Sequence, residues 1–289
     1  MISAQLNLKS DKITEEKMKI KGMAAPAFLV AALFAANMAW AGKIVIKGST
    51  TVLPIAQKVS EAYMKQNPSI KISISGGGSG NGMKALIDGS TDIADSSRFI
   101  KGKEVSLAVK NGIYPVPFAV AYDCIVPVVH PTNAIVNITM AQLKDIYMGK
   151  VKNWKELGGP DRPVVVISRD TSSGTYEVWH KKVMKKKRVY PGALLQASNG
   201  AVSQAVAKNK NAIGYIGIGY MSKDVKPLMV NRIVGSAATT LNGTYPVSRP
   251  LFMFTPGWPK GEVLRFINFL INPEKGQKYV AEAGYVPLY

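Results

Sequence analysis

The feature that most constrains this chain is a regular alternation of short β-branched runs and amphipathic stretches that begins at Lys43. β-Branched runs favour strands, whereas apolar residues at helical spacing favour helices. The segment 43–46 predicts a first strand, and 54–65 predicts the helix that follows it. Because such an alternation is typical of helices packed against a largely parallel sheet, the sequence predicts an α/β protein.

Later segments continue this pattern. They predict strands over 70–75, 122–129 and 163–167, a glycine-rich turn over 76–82 and a helix from Met83. The stretch 260–283 carries Val263, Phe266 and Leu270 at helical spacing and predicts one amphipathic helix. With 289 residues and 47% apolar content, the chain is long and apolar enough for two domains of ordinary size.

The first 41 residues have a different character. Lys19 and Lys21 precede an apolar run over 23–38, which ends in Ala39-Trp40-Ala41. This is the pattern of a secretory signal peptide, and we expect cleavage before Gly42. An uncleaved anchor is the alternative, although the run is short for a membrane span.

Met18 stands where such a signal would begin, so the signal is expected to span 18–41. Residues 1–17 are then either an extension or the result of a mis-annotated start. The 37 Lys and Arg less the five before residue 42, and the 18 Asp and Glu less three, leave a net charge of +17. A basic exported protein suits an anionic partner other than nucleic acid.

Cys124 is the only cysteine of the chain. The protein therefore has no internal disulfide, and no cysteine near the signal could carry a lipid anchor. Together with the signal, this predicts a monomeric protein of the periplasm.

Three turns between a strand and a helix are rich in glycine and hydroxyl residues. Free backbone N–H groups and the positive end of the helix dipole make such turns suited to oxyanions. Each turn alone is explained by ordinary helix capping. Arg169, which begins the third turn, adds a planar fork of donors that matches a tetrahedral oxyanion. The turns are 48–51, 78–82 and 169–175.

Catalytic constellations find no support in the sequence. The only histidines, His130 and His180, lie without a neighbouring cysteine or metal-ligand spacing. The fragment 77–80, Gly-Gly-Ser-Gly, lacks the spacing of a nucleophile elbow. A phosphate-binding Gly-x4-Gly-Lys-Ser/Thr pattern does not occur. We predict no enzymatic activity, no metal and no cofactor.

These residues carry a specific resemblance that runs from Lys43 to the C-terminus. The chain resembles the phosphate-binding proteins of bacterial phosphate ABC transporters, in their shorter subgroup. The segments that carry it are Gly48-Ser49-Thr50-Thr51 with Pro54, Gly76-Gly77-Gly78-Ser79-Gly80, 92–98, 146–154, 168–175 and Asn211-Ala212-Ile213-Gly214-Tyr215.

The resemblance implies a two-lobed periplasmic-binding-protein fold of type II, which closes on its ligand like a hinged trap. Lobe I would comprise 42–123 with 239–289, and lobe II would comprise 124–238. The partners implied are inorganic phosphate and an inner-membrane ABC permease. Carried over by position, the phosphate contacts are Thr50, Thr51, Ser79, Ser97, Arg169, Ser173, Gly174 and Thr175.

One position departs from the longer members of the family, which have an aspartate where this chain has Ser97. That aspartate accepts the proton of monohydrogen phosphate. We predict Asp123, at the presumed lobe crossing, as the acceptor in this chain; a hinge salt bridge or a strand cap is the alternative role of Asp123. If Asp123 is not the acceptor, the next candidates are Asp95 or a backbone carbonyl. Cys124, which stands where shorter relatives have glycine, is a second departure.

Two other function classes remain open at this point. A binder of sulfate, molybdate or tungstate would need only donors around its anion. A hydrolase of phosphorylated compounds would need metal ligands or an activated nucleophile. The basic run 181–188 is interpreted as a solvated helix face.

Overall fold

The computed structural model describes residues 42–289, so the predicted extension and signal peptide lie outside the described residues. Eleven strands occur in this part of the chain. They are β1 (Lys43–Gly48), β2 (Lys71–Ser75), β3 (Ile93–Ser96), β4 (Val116–Val129), β5 (Asn137–Ile138), β6 (Val165–Arg169), β7 (Leu194–Gln196), β8 (Ala212–Gly217), β9 (Lys226–Pro227), β10 (Met229–Val230) and β11 (Ser248–Thr255).

Nine α-helices alternate with these strands in the described residues. They are α1 (Leu53–Gln66), α2 (Ser79–Ile87), α3 (Gly102–Lys110), α4 (Met140–Tyr147), α5 (Gly174–Lys182), α6 (Asn199–Ala207), α7 (Ala237–Leu241), α8 (Gly261–Ile271) and α9 (Gly276–Glu282). Two 3-10 turns, Trp154–Leu157 and Ile218–Tyr220, complete the set. None of the described helices is both long and apolar enough to span a bilayer.

Eight of the eleven described strands form one continuous path of neighbours in the order β2-β1-β3-β11-β4-β8-β6-β7, β9 pairs with β4 beside this path, and β5 and β10 form a separate two-stranded sheet. Strand β4 is the central member of this path. Its first part pairs antiparallel with β11, up to Cys124 opposite Ser248, and its second part pairs with β8 from Ile125 onward. The partner strand changes between Cys124 and Ile125, so β4 joins two halves of the sheet.

Each half of the sheet has its own hydrophobic core. One cluster contains Ile44, Ile55 and Leu251 and is built from 44–121 and 251–285. The other contains Trp179 and Tyr215, whose rings stack at 4.3 Å, and is built from 124–247. We call these two halves lobe I and lobe II, and β4 and β11 run between them.

The chain passes from the core of lobe I to the core of lobe II near Asp123, because the lobe I cluster includes Ala121 and the lobe II cluster begins at Cys124. Tyr245 and Val247 pack in the lobe II cluster, although the sequence analysis assigned 239–289 to lobe I. The exact lobe boundaries stay a prediction.

Three elements differ from the sequence expectations. The helix expected from Met83 begins at Ser79, which makes this serine the first helical residue. The expected helix over 260–283 is two helices, α8 and α9, because Pro273 follows the end of α8 and cannot continue its hydrogen bonding. The basic run is not one helix face, since α5 ends at Lys182.

Beyond Lys182 the basic run is a turn. Lys185 and Lys186 have φ values of 49° and 63°, in the left-handed region. Their side chains therefore leave the surface in directions that a continuous helix would not give. The residues 185–188 are exposed to solvent, and the run remains a charged surface.

Candidate functional site

The turns that the sequence singled out follow the carboxyl ends of parallel strands. Strands β1 and β3 are parallel neighbours in lobe I, and β6 and β7 are parallel neighbours in lobe II. Ligands of open α/β sheets bind outside such strand ends. Gly48 allows this packing in lobe I, because its φ is 140° and a Cβ there would lie 2.2 Å from the carbonyl oxygen of Asp95.

Thr51 of lobe I meets Thr175 of lobe II across the boundary between the lobes. Their hydroxyl oxygens are 2.9 Å apart, and both residues are buried. Thr51 Oγ1 accepts a hydrogen bond from Asn199 Nδ2 at 3.0 Å and another from Arg249 Nη2 at 3.3 Å. Because a hydroxyl oxygen has two lone pairs, the Thr51 proton must be donated.

The same count applies to Thr175. Its Oγ1 accepts from Arg249 Nη2 at 3.0 Å and from the Thr51 hydroxyl. Arg249 Nη2 has two protons but three acceptors, since it also donates to Asp123 Oδ2. One of these Nη2 protons is therefore shared between the two threonine oxygens. The proton of Thr175 is then the donor that this pair offers to a ligand.

Asn199 fixes the orientation of the donors on the lobe II side. Its Nδ2 also donates to Thr50 Oγ1 at 3.2 Å, and its Oδ1 accepts from the backbone N–H of Gly217 at 3.2 Å. The carbonyl of Thr50 accepts from the hydroxyl of Tyr220 at 2.5 Å. Thr50 is thus held by two lobe II side chains.

Ser79, Ser97 and Gly174 form a second point of contact between the lobes. Ser79 Oγ lies 3.3 Å from Ser97 Oγ and accepts from the Ser97 backbone N–H at 3.0 Å. A Cβ on Gly174 would lie 2.3 Å from Ser79 Oγ and 2.7 Å from Ser97 Oγ. Only glycine lets the first turn of α5 approach the two serines this closely. Ser173 caps α5 by accepting from the N–H of Tyr176.

Arg169 is buried at the end of β6, with 1% of its surface exposed. Its Nε and Nη2 donate to the carbonyls of Gln196 and Ala197, both at 2.9 Å. Its Nη1 is buried and has no hydrogen-bond partner among residues 42–289. Burial lowers the pKa of Arg169, and Asp170 opposes this shift from 3.8 Å. The guanidinium is therefore anchored on one side and has an unused donor on the other.

Asp123 lies on β4 at the crossing and is fully buried. Its Oδ2 accepts from Arg249 Nε at 2.9 Å and from Nη2 at 2.7 Å, and its Oδ1 accepts from the N–H of Ile218 at 2.9 Å. Burial raises the pKa of Asp123, while the charge and hydrogen bonds of Arg249 lower it. The carboxyl group forms the hinge salt bridge that the sequence analysis named as the alternative role, and it lies next to the threonine pair through Arg249.

Asp95 was the next acceptor candidate. Its backbone carbonyl accepts from the N–H of Ser49, and its buried Oδ1 has no hydrogen-bond partner in the described part of the chain. Burial raises the pKa of Asp95 well above its ordinary value. Asp95 therefore supports the first turn through its backbone.

Sequence reasoning missed two residues of this network, Asn199 and Arg249. Asn199 follows Ser198 at a fourth turn between a strand and a helix, so the criterion that found the other three turns also fits this one. Arg249 is a charged residue in an otherwise apolar strand, and such a residue is buried only with partners. That signal was present in the sequence but did not identify the partners.

A second set of charges joins the lobes outside this network. Glu177 Oε1 of α5 lies 2.6 Å from Lys101 Nζ and 3.0 Å from Arg98 Nε, and both contacts are ion pairs outside hydrogen-bond geometry. Arg98 donates to both carboxylate oxygens of Glu104. These residues, except Glu104, line a cavity of about 450 Å³ that Arg249 also borders. Among residues 42–289, no three His, Cys, Asp or Glu side chains cluster as metal ligands.

Comparisons with known proteins identify the fold and the family. The model of the PBP superfamily domain matches residues 35–274. The phosphate-binding protein PstS of Staphylococcus epidermidis is 34% identical over 254 residues, which cover 83% of this chain and 77% of that protein. PstS of Bacillus subtilis is 30% identical over 251 residues, covering 86% and 81%.

A solved structure from Clostridium perfringens, described as a phosphate ABC transporter substrate-binding protein with bound phosphate, superposes with a TM-score of 0.80. It is 33% identical and is matched over 86% of this chain and 100% of that chain. The predicted two-lobed α/β fold and the predicted family are confirmed. The chain therefore belongs to the PBP superfamily and, within it, to the family of the phosphate-binding proteins PstS.

Proposed function

We propose that this protein captures inorganic phosphate and delivers it to an ABC-type phosphate importer. Its relatives carry the name phosphate-binding protein, and the related Clostridium perfringens structure holds phosphate. The role of the family is to bind a substrate and not to transform it. The chain accordingly acts in transport and is not an enzyme.

One observation of this chain supports that function above the others. Thr51 and Thr175 come from different lobes and touch at 2.9 Å, and because the Thr51 hydroxyl donates to Thr175, the Thr175 proton is left as a donor for a ligand. A buried set of donors is complementary to an oxyanion, because each anion oxygen offers lone pairs to the donors. The free Nη1 of Arg169 would add the positive charge.

The proposed phosphate contacts are the set that the resemblance implied, together with Asp123 as proton acceptor. These residues come from both lobes and from the crossing strand. An anion that bridges them makes contacts that only the closed arrangement offers, so binding shifts the protein toward closure. The contacts proposed are Thr50, Thr51, Ser79, Ser97, Asp123, Arg169, Ser173, Gly174 and Thr175.

We further propose that the protein works as a monomer in the periplasm and docks transiently on an inner-membrane permease. The signal-like pattern over 18–41 and the family role in ABC transport support this setting. The net charge of +17 beyond residue 41 would draw phosphate toward the protein.

Titration calorimetry of the purified protein with phosphate, sulfate and molybdate tests the proposal. We expect phosphate to bind with the highest affinity and sulfate to compete weakly. Tight sulfate binding with weak phosphate binding would replace the proposal with a sulfate-type transporter component. The donor-rich threonine pair alone would fit that rival, because a sulfate site needs no proton acceptor. Absence of binding by all three anions would reject an oxyanion function.

A further inference from the structure

Arg249 has an unusual position for a charged side chain. It lies on β11, where the chain crosses between the lobes, and is 5% exposed. Its Nη1 donates to the carbonyl of Ser97 at 3.1 Å in lobe I. Its Nη2 reaches Thr51 of lobe I and Thr175 of lobe II at 3.3 and 3.0 Å. One guanidinium thus holds the hydroxyls of both lobes.

The same guanidinium is the charged partner of Asp123. Two of its N–H groups converge on Oδ2, at 2.9 and 2.7 Å. The two side chains are 3% and 0% exposed, so water does not screen the pair. An isolated carboxylate buried to this extent would take up a proton, whereas an opposite charge in contact favours the ionised form.

The other titratable groups near Asp123 are uncharged at neutral pH. Burial raises the pKa of the neighbouring Cys124 thiol to about 12. Burial also raises the pKa of Tyr245 and that of Tyr285, the latter well above its ordinary value. Arg249 is therefore the charged group that favours an ionised Asp123, in addition to the backbone N–H of Ile218, and Gly217, whose Cβ would lie 3.1 Å from the carboxylate oxygens, keeps the remaining side free of a side chain.

Resting on the proposed phosphate function, we infer that Arg249 is the positioning residue that determines anion selectivity: it keeps Asp123 as a carboxylate acceptor and donates to the Thr51 and Thr175 oxygens, which leaves the Thr175 hydroxyl as a donor for the anion. An ionised Asp123 accepts the proton of monohydrogen phosphate. Sulfate has no proton, so the lone pairs of the Asp123 carboxylate would face the lone pairs of a sulfate oxygen and repel them. If Asp123 were protonated it would donate to either anion, and the discrimination would be lost.

This mechanism has a pH signature. In the parent protein, sulfate rejection is complete above the pKa of Asp123 and falls as pH drops through it. Removing Arg249 removes the interaction that lowers this pKa, and an adjacent opposite charge typically accounts for about 1–3 pH units. The pH at which sulfate begins to compete should therefore rise by about 1–3 units in Arg249→Met.

The experiment is competition calorimetry of phosphate against sulfate between pH 5 and 8.5 on the parent, Arg249→Met, Arg249→Lys and Asp123→Asn. Because phosphate titrates identically in every sample, differences between variants at one pH report the protein. We expect the pH at which sulfate begins to compete to be higher in Arg249→Met than in the parent and to be close to the parent value in Arg249→Lys. In Asp123→Asn we expect no such pH dependence of sulfate competition. A variant that combines Arg249→Met with Asp123→Asn should reject sulfate no worse than Asp123→Asn alone.

Each outcome has a distinct reading. If Arg249→Met weakens the binding of phosphate and of sulfate equally and leaves the pH at which sulfate begins to compete unchanged, Arg249 has only a structural role and the inference is wrong. The inference is also wrong if the parent and Asp123→Asn reject sulfate with the same pH profile. This comparison does not depend on whether the Arg249 variants fold. A parent that does not bind phosphate rejects the proposed function itself.

Discussion

The two lobes are joined by two sets of charged contacts that differ in depth. The inner set is Arg249 with Asp123 and the two threonines, and its ion pair is 3% and 0% exposed. The outer set is Glu177 with Lys101 and Arg98; the Lys101 and Glu177 side chains are 37% and 20% exposed, whereas Arg98 is 6% exposed and keeps Glu104 as a second partner. Both connect a cation to a carboxylate near the boundary between the lobes.

The difference in burial implies a difference in role. Breaking a buried pair leaves an uncompensated charge in a medium that cannot solvate it, so the inner set tolerates little rearrangement. Exposed pairs exchange with water at small cost, typically about 0.2–1 kcal/mol. We therefore expect the inner set to determine which anion binds, and the outer set to adjust how long the lobes stay together.

The largest effect is expected for Arg169→Ala, because Arg169 is as deeply buried as the inner set, with 1% of its surface exposed. Truncating one partner of a buried charged contact costs about 2–5 kcal/mol, so phosphate binding should weaken by about two to three powers of ten. Calorimetry measures the affinity, and thermal unfolding checks the fold, since the carbonyls of Gln196 and Ala197 lose their donor. The exposed Arg162→Ala is the matched control. Parent-like affinity in Arg169→Ala would remove Arg169 from the site.

Gly174→Ala should have the next largest effect. The added Cβ would lie 2.3 Å from Ser79 Oγ, so the first turn of α5 would have to retreat from lobe I. Overpacking of this kind costs about 1–3 kcal/mol, which corresponds to a loss of affinity of about 5- to 150-fold. Gly102→Ala, where a Cβ meets nothing within 4 Å, controls for helix composition. Unchanged phosphate affinity would mean that the lobes need not approach this closely.

Glu177→Gln addresses the outer set and should change affinity by no more than about fivefold. The change should appear as faster phosphate release in stopped-flow measurements, with little effect on association, because the pair forms only when the lobes meet. Glu282→Gln, which removes an exposed pair with Lys58 inside lobe I, is the control. A loss as large as that of Arg169→Ala would contradict the proposed division between inner and outer contacts.

The smallest effect is expected from the basic turn. Reversing the charges of Lys185, Lys186 and Lys187 should slow phosphate association slightly at low salt and leave the dissociation rate unchanged. Exposed charges are screened beyond about 8 Å at physiological ionic strength. The same reversal at Lys65, Lys71 and Lys110 tests whether position or only net charge matters. Rates that do not depend on salt in either variant would reject electrostatic steering.

The local elements of the fold followed from sequence because their signals are local. β-Branched runs and helical periodicity identified β1, α1 and the second part of β4 within a few residues. The errors occurred where a local signal was weak or where tertiary packing decided the outcome. The glycines after Ser79 disguised the start of α2, and the helical spacing on both sides of Pro273 concealed a break.

The site shows the same division. The glycine and hydroxyl turns with Arg169 could be recognised in the sequence, because the first turn of a helix offers donors whatever surrounds it. The partners of Asp123 could not be recognised in the sequence, since Arg249 lies 126 residues away and meets Asp123 only through the pairing of β4 with β11.

The sequence by itself thus determined the α/β class, the family and the turns that supply donors, each of which depends on residues close together in the chain. Only the tertiary structure decided that Thr51 faces Thr175, that Asn199 and Arg249 orient both hydroxyls, and that Asp123 lies in a buried ion pair. The physical reason is that hydrogen-bond direction and the charge of a buried carboxyl group depend on neighbours that folding brings from distant parts of the chain.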